Sequence, residues 1–180
     1  LVAEVIEEER FQAACSVLVT KLAERLECDR ASVGFLKRSQ ARVQAISHSA
    51  SFGKEMNLVA LIGRAMDESI DQECALRYPA EAATQPGFLV LRDQTALSEG
   101  DGGMAVCTVP IAAQNGFPGA LTLERTTTRP FQALEAEACE TLMALVGPIL
   151  IAKRDNERWI GTKVVLSLWE QTKRMFGPRY

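Results

Sequence analysis

Three carboxylates and two cysteines are the side chains in this sequence whose types and spacing could support chemistry. Asp67, Glu68 and Asp71 recur at helical spacing, which could serve acid–base chemistry or bind an amine. A solvated helix face carries the same pattern and is the favoured interpretation. Cys74 and Cys107 could form a redox couple, because a reactive thiolate beside a resolving thiol suffices. Buried, inert thiols at alternating strand positions are the favoured alternative.

The remaining chemical candidates are weaker still. His48 is the one histidine, and a turn or surface position is favoured over a haem ligand or general base. No histidine and cysteine cluster has the spacing of a zinc site. The glycine-rich run Gly100–Gly103 lacks the lysine and hydroxyl residue that open a helix in a phosphate-binding loop, and we expect a mobile lid there. The sequence therefore predicts no catalytic residues and no metal.

Length and composition indicate one domain. The chain has 180 residues, 47% of them hydrophobic, and no apolar run long enough to span a membrane. It begins at Leu1 within a helical pattern, so we expect a fragment of a longer protein. Five cysteines without a CxxC pair indicate reduced thiols in the cytoplasm.

Charge is distributed unevenly along the chain. The net charge of -3 gives no nucleic-acid footprint, yet the segment from Lys153 to Tyr180 has seven basic residues against three acidic ones. Trp159 and Trp169 are ten residues apart among mixed charges, which favours a partner helix over a nucleic-acid site.

Two hairpins are the clearest local patterns. Between Met104 and Arg125, apolar residues alternate on both sides of a turn at Asn115-Gly116. A second hairpin is predicted from strands at 31–36 and 42–47, with Val33 and Phe35 facing inward.

Helices are predicted around these hairpins. One amphipathic helix spans residues near 3–27, a second ends at about Glu73, and a third runs from Leu134 to about Arg174 with a kink at Pro148. Between the second and third helices we expect an irregular crossing to Gly87, a short strand at 88–91 and a loop at 98–103. The order of elements predicts an α+β domain.

The segments VPIAAQNGFPGALTLER and DRASVGFLKRSQARVQAIS resemble the closing and opening hairpins of the GAF domain, a ligand-binding and signalling fold related to PAS. The resemblance covers residues 8–153. It implies an antiparallel sheet with the N- and C-terminal helices packed on one face and a ligand pocket on the other. We therefore divide the chain into a GAF-like domain, 1–153, and a helical extension, 154–180.

The resemblance also implies a pocket lining and a range of ligands. The pocket would be covered by the crossing segment, and its lining would be Met66, Ile70, Cys74, Tyr78, Phe88, Val90, Val106 and Thr108. Relatives bind cyclic nucleotides, bilins, haem, formate or amino-acid-like metabolites. The NKFDE motif of cyclic-nucleotide binders and a bilin-type Cys-His pair are missing here, so the ligand and any cofactor stay unidentified.

These observations predict a non-enzymatic sensory or regulatory module that binds a small molecule and passes a conformational bias to a downstream region. The alternatives are a purely structural dimerisation scaffold with a vestigial pocket and a cysteine-dependent methionine sulfoxide reductase. No nucleic-acid partner is predicted. A homodimer through the terminal helices is predicted because several apolar residues in their extensions have no expected intramolecular partner. These residues are Val2, Val5, Ile6, Trp159, Val164 and Leu168.

The C-terminal segment predicts a position close to a membrane. AMDESIDQECALRYP and LWEQTKRMFGPRY resemble a bacterial subgroup in which a GAF domain precedes a transmembrane helix and a haemolysin-secretion-type adaptor. Basic residues with Trp169 and Phe176 would then lie on the cytoplasmic side of an inner membrane. Basic residues that complement the dipole of an ordinary helix end are the alternative.

Overall fold

The computed structural model describes residues 1–47, 55–79, 89–100 and 102–175, with the side chains of Glu55 and of residues 158–175 outside the description. The helices are α1 (Val2–Glu7), α2 (Phe11–Arg25), α3 (Glu55–Gln72), α4 (Arg92–Gly100) and α5 (Ala133–Met175). The strands are β1 (Arg30–Lys37), β2 (Gln40–Ile46), β3 (Leu76–Tyr78), β4 (Met104–Ala113) and β5 (Gly116–Thr126).

The five strands form one antiparallel sheet in the order β2-β1-β5-β4-β3. Val33 of β1 pairs with Leu121 of β5, which pairs in turn with Val109 of β4. The two predicted hairpins therefore belong to one sheet, as expected. Val33, Phe35, Cys107 and Val109 also contribute to the same buried cluster, so they lie on one face of that sheet.

Helices cover both faces of the sheet. The helices α1, α2 and α5 pack on one face, over a core that includes Leu18, Leu121 and Met143. The helices α3 and α4 pack on the other face, over a second cluster that includes Ile62, Met66 and Leu97. A sheet covered on both sides has strands that are buried continuously, which is seen in β4 and β5. The α+β architecture predicted from the sequence is confirmed.

The prediction of a single helix from 3 to 27 is wrong, because the chain is extended at Glu8 and Arg10 between α1 and α2. The backbone N–H of Phe11 donates to the carboxylate of Glu157 in α5 at 2.7 Å. The ammonium group of Lys153, also in α5, donates to the carbonyl oxygens of Ile6 and Glu8. The charged run at 7–10 has no apolar face to bury, and α5 supplies the hydrogen-bond partners for the two helix ends that result.

Val5 does have an intramolecular partner, contrary to the prediction that it is free for a dimer. It is fully buried in the core beneath α5, and Val2 packs against the same core. Ile6 is 53% exposed. The side chains of Trp159, Val164 and Leu168 lie outside the described residues.

The middle of the chain contains two elements that the sequence analysis missed, β3 and α4. The strand predicted at 88–91 is wrong for residues 89–91, which have no regular structure, and Phe88 lies outside the described residues. The loop predicted at 98–103 is wrong for residues 98–100, which form the last turn of α4. The helices predicted to end near 73 and 174 are confirmed, with Pro148 inside α5.

In the described part of the chain, no helix combines the length and the apolar composition needed to cross a bilayer.

Candidate functional site

A row of three buried hydroxyl side chains crosses the α3-facing side of the sheet. Ser32 of β1 pairs with Thr122 of β5, which pairs with Thr108 of β4. All three are fully buried. Their strand neighbours, such as Ala31, Val33, Leu121, Leu123, Cys107 and Val109, point into the core on the opposite face, so alternation places the hydroxyls toward α3 and α4.

Gln94 connects this row to both covering helices. The Thr108 hydroxyl donates to the Gln94 side-chain oxygen at 2.8 Å, and the Gln94 side-chain nitrogen donates to the carbonyl oxygen of Ala65 in α3 at 2.8 Å. The Thr108 and Thr122 hydroxyl oxygens are 3.3 Å apart. Because Gln94 is fully buried, its hydrogen bonds hold α4, α3 and β4 in one arrangement.

The three predicted acid–base carboxylates have separate structural environments. The two Glu68 oxygens accept the backbone N–H groups of Asp93 and Gln94 at 2.9 and 3.0 Å. Asp67 accepts the backbone N–H of Ala41 at 2.6 Å, and burial raises its pKa more than this hydrogen bond lowers it. Asp71 is exposed. Glu68 is only 8% exposed, so it does not lie on a solvated helix face. Both of its oxygens are bonded to the backbone of α4, which assigns it a structural role instead of acid–base chemistry.

Half of the predicted pocket residues come together in the second cluster. Met66, Ile70, Tyr78 and Val106 pack there. Thr108 adjoins them through the Gln94 network. The binding of a ligand by these residues stays a prediction.

Two further predicted pocket residues, Val90 and Cys74, are not part of this cluster. Val90 is 56% exposed, and its backbone N–H and C=O form two hydrogen bonds of 2.8 Å with the Gln72 side chain. Cys74 is half-buried in the turn after α3. Phe88 and His48 lie outside the described residues.

A charged pair lies at one end of the α3-facing side. Arg30 of β1 donates to both carboxylate oxygens of Glu124 in β5, at 2.8 and 2.6 Å. Glu124 is fully buried, and Arg30 is 17% exposed at its side chain. The strand register continues this row through Val106 to Tyr78. A bidentate pair of this kind holds both side chains in one orientation.

Two segments leave the sheet at this end. β2 ends beside Ala31, whose backbone N–H donates to the Ser47 hydroxyl at 2.8 Å, and β3 ends at Tyr78 opposite Val106. The Ser32 hydroxyl lies in the neighbouring row and has no hydrogen-bond partner among the described residues. Such a buried, unpaired group is unusual in a native protein. Arg30, Ser32, Tyr78, Val106 and Glu124 therefore form the candidate site.

Sequence reasoning missed Arg30, Ser32 and Glu124. A signal for them existed, because each alternates with an apolar residue of the opposite core face, namely Ala31, Val33 or Leu123. Arg30, Ser32 and Glu124 point to the other face of the sheet, which is also covered by helices. A polar side chain at such a position therefore cannot reach bulk solvent. Such positions are candidates for a site or a buried network.

Burial keeps the cysteine thiols in their protonated form. All five thiols are free. Burial raises the pKa of Cys15 and Cys28 to about 12 and that of Cys139 to about 11, and it raises the pKa of Cys107 further. Burial, with a smaller effect of Glu140, also raises the pKa of Cys74. These shifts oppose formation of the nucleophilic thiolate.

Among the described residues, no three histidine, cysteine, aspartate or glutamate side chains are arranged to hold a metal ion.

Several solved structures share this fold. The GAF domain of a phosphoenolpyruvate-protein phosphotransferase from Coxiella burnetii is 19% identical, with a TM-score of 0.57 over 89% of this chain and 91% of that chain. The cyanobacteriochrome TePixJ GAF domain is 18% identical, with a TM-score of 0.57 over 83% and 94%. Free methionine-R-sulfoxide reductase from Neisseria meningitidis, solved with its substrate, is 9% identical, with a TM-score of 0.60 over 86% of each chain. At these identities the likeness shows the fold alone.

No curated protein sequence matches the chain. The family model of the GAF domain matches residues 10–150, close to the range of the resemblance found in the two hairpins. That match, together with the sheet and helix arrangement, shows that the chain belongs to the GAF domain family.

Proposed function

We propose that this GAF domain is a non-enzymatic sensory module that binds a small molecule at the Arg30–Glu124 end of the sheet and transmits the event through α5. Structures that share its fold include a cyanobacteriochrome and a methyl-accepting chemotaxis protein. The observation that carries the proposal is the position of β4 between the two layers of helices. Thr108 bonds to Gln94 on the α4 side, while its neighbours Cys107 and Val109 are in the core beneath α5.

This arrangement gives a route from the candidate site to α5. A ligand that shifts α4 moves Gln94, and Gln94 is bonded to Thr108 of β4. Further along β4, Ile111 lies against Gly147 of α5 so closely that a Cβ on the glycine would overlap it. Because packed layers have few alternative arrangements, a shift of β4 changes the packing of α5.

A second route passes through β3. Tyr78 belongs to the candidate site, and its neighbour Arg77 donates to the carbonyl oxygen of Phe131 at 3.0 Å. Phe131 lies directly before α5, so a displacement at Tyr78 reaches the beginning of that helix. A ligand that uses these routes would bias α5 by a coupling free energy of about 1–3 kcal/mol.

Ligand binding can be tested with compounds of defined chemistry. Thermal unfolding of the chain would be measured with cAMP, cGMP, formate and free amino acids, alongside native mass spectrometry of the freshly purified protein. We expect one ligand to raise the melting temperature and Ser32→Ala to reduce that increase. Ser16→Ala, at an exposed position of α2, is the matched control. Absence of both a co-purifying molecule and a thermal shift would contradict the proposal.

The structural scaffold remains the second candidate function. It is favoured by the dense packing on the α3 side, where a Cβ on Gly34 would be 2.6 Å from the Met66 sulfur. A ligand should raise the melting temperature of a sensor but not that of a structural scaffold. The reductase lacks comparable support, because the pKa of both Cys74 and Cys107 is raised.

A homodimer through the terminal helices and a position near a membrane are further parts of this proposal. The terminal helices already pack together within one chain, since Lys153 and Glu157 of α5 bond the junction between α1 and α2. Exposed apolar residues on the outer surface of α5 support the dimer. Membrane proximity rests on the basic segment alone.

A further inference from the structure

A cavity lies on the face of the sheet opposite to the candidate site, where the β1–β2 hairpin meets α2 and α5. Its volume is about 780 Å³, which is within the range of small-molecule sites. We call it the hairpin cavity. Its lining includes Lys37 at the end of β1, whereas the candidate site contains Arg30 at the beginning of that strand. The rise of a strand separates these two residues by about 23 Å.

One wall of the hairpin cavity is aromatic. Phe11, the first residue of α2, and Phe35 of β1 both line it. Their ring centres are 5.4 Å apart, and the rings meet edge to face at 62°. Both side chains belong to the core beneath α2 and α5, so the wall is fixed. Such a wall can pack against the ring or the hydrocarbon part of a small molecule.

Arg154 of α5 places a cation beside this wall. Its guanidinium carbon lies 4.9 Å from the centre of the Phe35 ring, a cation–π distance. The Nε atom of Arg154 is buried and has no hydrogen-bond partner among the described residues. The carboxylate of Asp155 is 3.7 Å from it, which is too far for a hydrogen bond. A buried donor without an acceptor is unfavourable, and an acceptor inside the cavity would satisfy it.

The lining of the hairpin cavity has an excess of positive charge. Lys37, Arg38 and Arg154 are basic, and Glu157 is the acidic residue among the described lining residues. One oxygen of Glu157 already accepts the backbone N–H of Phe11 at 2.7 Å. Clustered charge of one sign in a concave site attracts ligands of the opposite sign.

The hairpin turn keeps two of these cations at the cavity. Lys37 pairs with Gln40 across the hairpin, which leaves a turn of two residues, Arg38 and Ser39. Both have positive φ, 53° and 64°, the conformation of the tight turn that matches the twist of the two strands. The position of the basic residues is therefore set by the end of the sheet and not by a long loop.

We propose that the hairpin cavity binds a small organic anion, whose carboxylate or phosphate group contacts Arg154 and whose apolar ring packs against Phe11 and Phe35. A guanidinium group matches the geometry of both acidic groups. Lys37 and Arg38 complement the remaining negative charge. The site is separate from the candidate site at the Arg30–Glu124 end. A ligand bound here joins the β1–β2 hairpin directly to α5.

Binding can be tested by isothermal titration calorimetry of the full chain with benzoate and with phenyl phosphate. Both probes have a ring and a negative charge, and they differ in the acidic group. We expect at least one of them to bind with a Kd below about 1 mM, and the tighter probe identifies the acidic group. Benzamide keeps the ring without the charge, and inorganic phosphate keeps the charge without the ring. Each should bind at least about tenfold more weakly than the better probe.

Three variants locate the binding energy. Arg154→Gln should weaken the binding of the better probe by about tenfold or more, because a charged hydrogen bond is lost. Lys37→Gln, at an exposed position, should weaken it by about threefold and decides the outcome if Arg154→Gln does not fold. Arg64→Gln is the matched control, since Arg64 is exposed on α3 over the other face of the sheet. It makes the same change of charge and should leave the affinity unchanged.

The position of the bound probe can be read from backbone amide NMR shifts, which should change at Phe11 and Lys37. Absence of binding by both probes, or binding that neither Arg154→Gln nor Lys37→Gln weakens, would overturn the proposal. Equal affinity for inorganic phosphate would overturn the role of the aromatic wall. Ser32→Ala should leave this binding unchanged, and loss of binding in that variant would place the anion at the candidate site instead. Failure here is therefore distinguishable from failure of the proposed function.

Discussion

Glu68 holds two helices together with one carboxylate. Both of its oxygens accept backbone N–H groups at the beginning of α4, where the helix dipole favours a negative charge. The same helix supplies Gln94, which bonds to Thr108 of the sheet. The position of α4 over the candidate site therefore depends on a residue of α3 that is distant in sequence.

Replacing Glu68 by glutamine should lower the free energy of unfolding by about 2 kcal/mol. The amide keeps one acceptor oxygen but places a donor against the second backbone N–H, and the charge is lost. Urea denaturation measures the change. Glu99→Gln, at the exposed end of α4, is the control and should be nearly neutral. Equal stabilities for the two variants would contradict the assigned role of Glu68.

Glu135 makes the stability of the α5 junction dependent on pH. Arg125 donates to its carboxylate at 2.6 Å and also lies 4.0 Å from the centre of the Phe131 ring. Burial raises the pKa of Glu135, but the hydrogen bonds from Arg125 and from the Gln132 backbone lower it more, so the pKa of Glu135 lies below the ordinary value of a glutamate. The stabilising contribution is therefore complete above the carboxyl pKa of the unfolded chain. It is lost as the pH falls through the lower pKa of the folded state.

We expect Glu135→Gln to be less stable than the wild type at neutral pH and to lose less further stability on acidification. Melting temperatures measured from neutral pH to below 4.5 provide the comparison. Glu137→Gln, at an exposed position of the same helix turn, should follow the wild-type curve. Parallel curves for all three proteins would show that the Arg125–Glu135 pair has no pH-dependent role.

At the scale of elements, α5 and β4 approach each other at Gly147. A Cβ at this position would overlap the Cγ2 methyl group of Ile111. A glycine to alanine change within a helix normally stabilises by about 1 kcal/mol. At Gly147 we expect Gly147→Ala to destabilise instead, by about 1–3 kcal/mol, because the layers must separate.

The cause of that loss can be isolated with a double-mutant cycle. Ile111→Leu removes the methyl group that meets the new Cβ, so it should recover part of the stability lost in Gly147→Ala. Urea denaturation of the two single variants and the double variant gives the coupling energy. Additive effects would mean that Gly147 does not control the α5–β4 distance.

The helices and strands that could be predicted from the sequence are those in which the buried residues recur at a regular spacing. Both hairpins, α3 and α5 belong to this group. Strand β3 has three residues and α4 has nine, too few for a clear period, and α4 begins with a cap from Glu68. The break between α1 and α2 depends on Lys153 and Glu157. Periodicity within a segment carries no information about such distant partners.

The residues of the candidate site also divide into those that the sequence predicted and those that it did not. Met66, Ile70, Tyr78 and Val106 were placed together by the family resemblance, and the structure brings them into one cluster. The predicted lining lies between residues 66 and 108, so Arg30 and Ser32 of β1 and Glu124 of β5 were missed. Recognising Arg30 and Glu124 requires the strand register that pairs them, which no local pattern contains.

At the scale of the whole molecule, an excess of positive charge lies in the last 28 residues of an otherwise acidic chain. The segment from Lys153 to Tyr180 has seven basic residues and three acidic ones, although the chain as a whole has a net charge of -3. A basic segment of this kind is attracted to anionic lipid by about 1 kcal/mol for each basic residue near the surface.

We therefore expect the chain to bind vesicles containing phosphatidylglycerol at low ionic strength and to dissociate as salt is added. Co-sedimentation measures the bound fraction. The double variant Lys173→Glu and Arg174→Glu should lose most binding, and vesicles of phosphatidylcholine alone provide the lipid control. Binding that is absent at low salt would contradict the proposed membrane proximity.

The bonds from α5 to the α1–α2 junction also have a mechanical consequence. Lys153 holds the carbonyl oxygens of Ile6 and Glu8, and Glu157 holds the backbone N–H of Phe11. A pull or a torque applied to α1 therefore reaches α5 within about one helical turn, without crossing the five strands. Tension can therefore pass between α1 and α5 directly, in addition to the contact that α5 makes with β4 of the sheet.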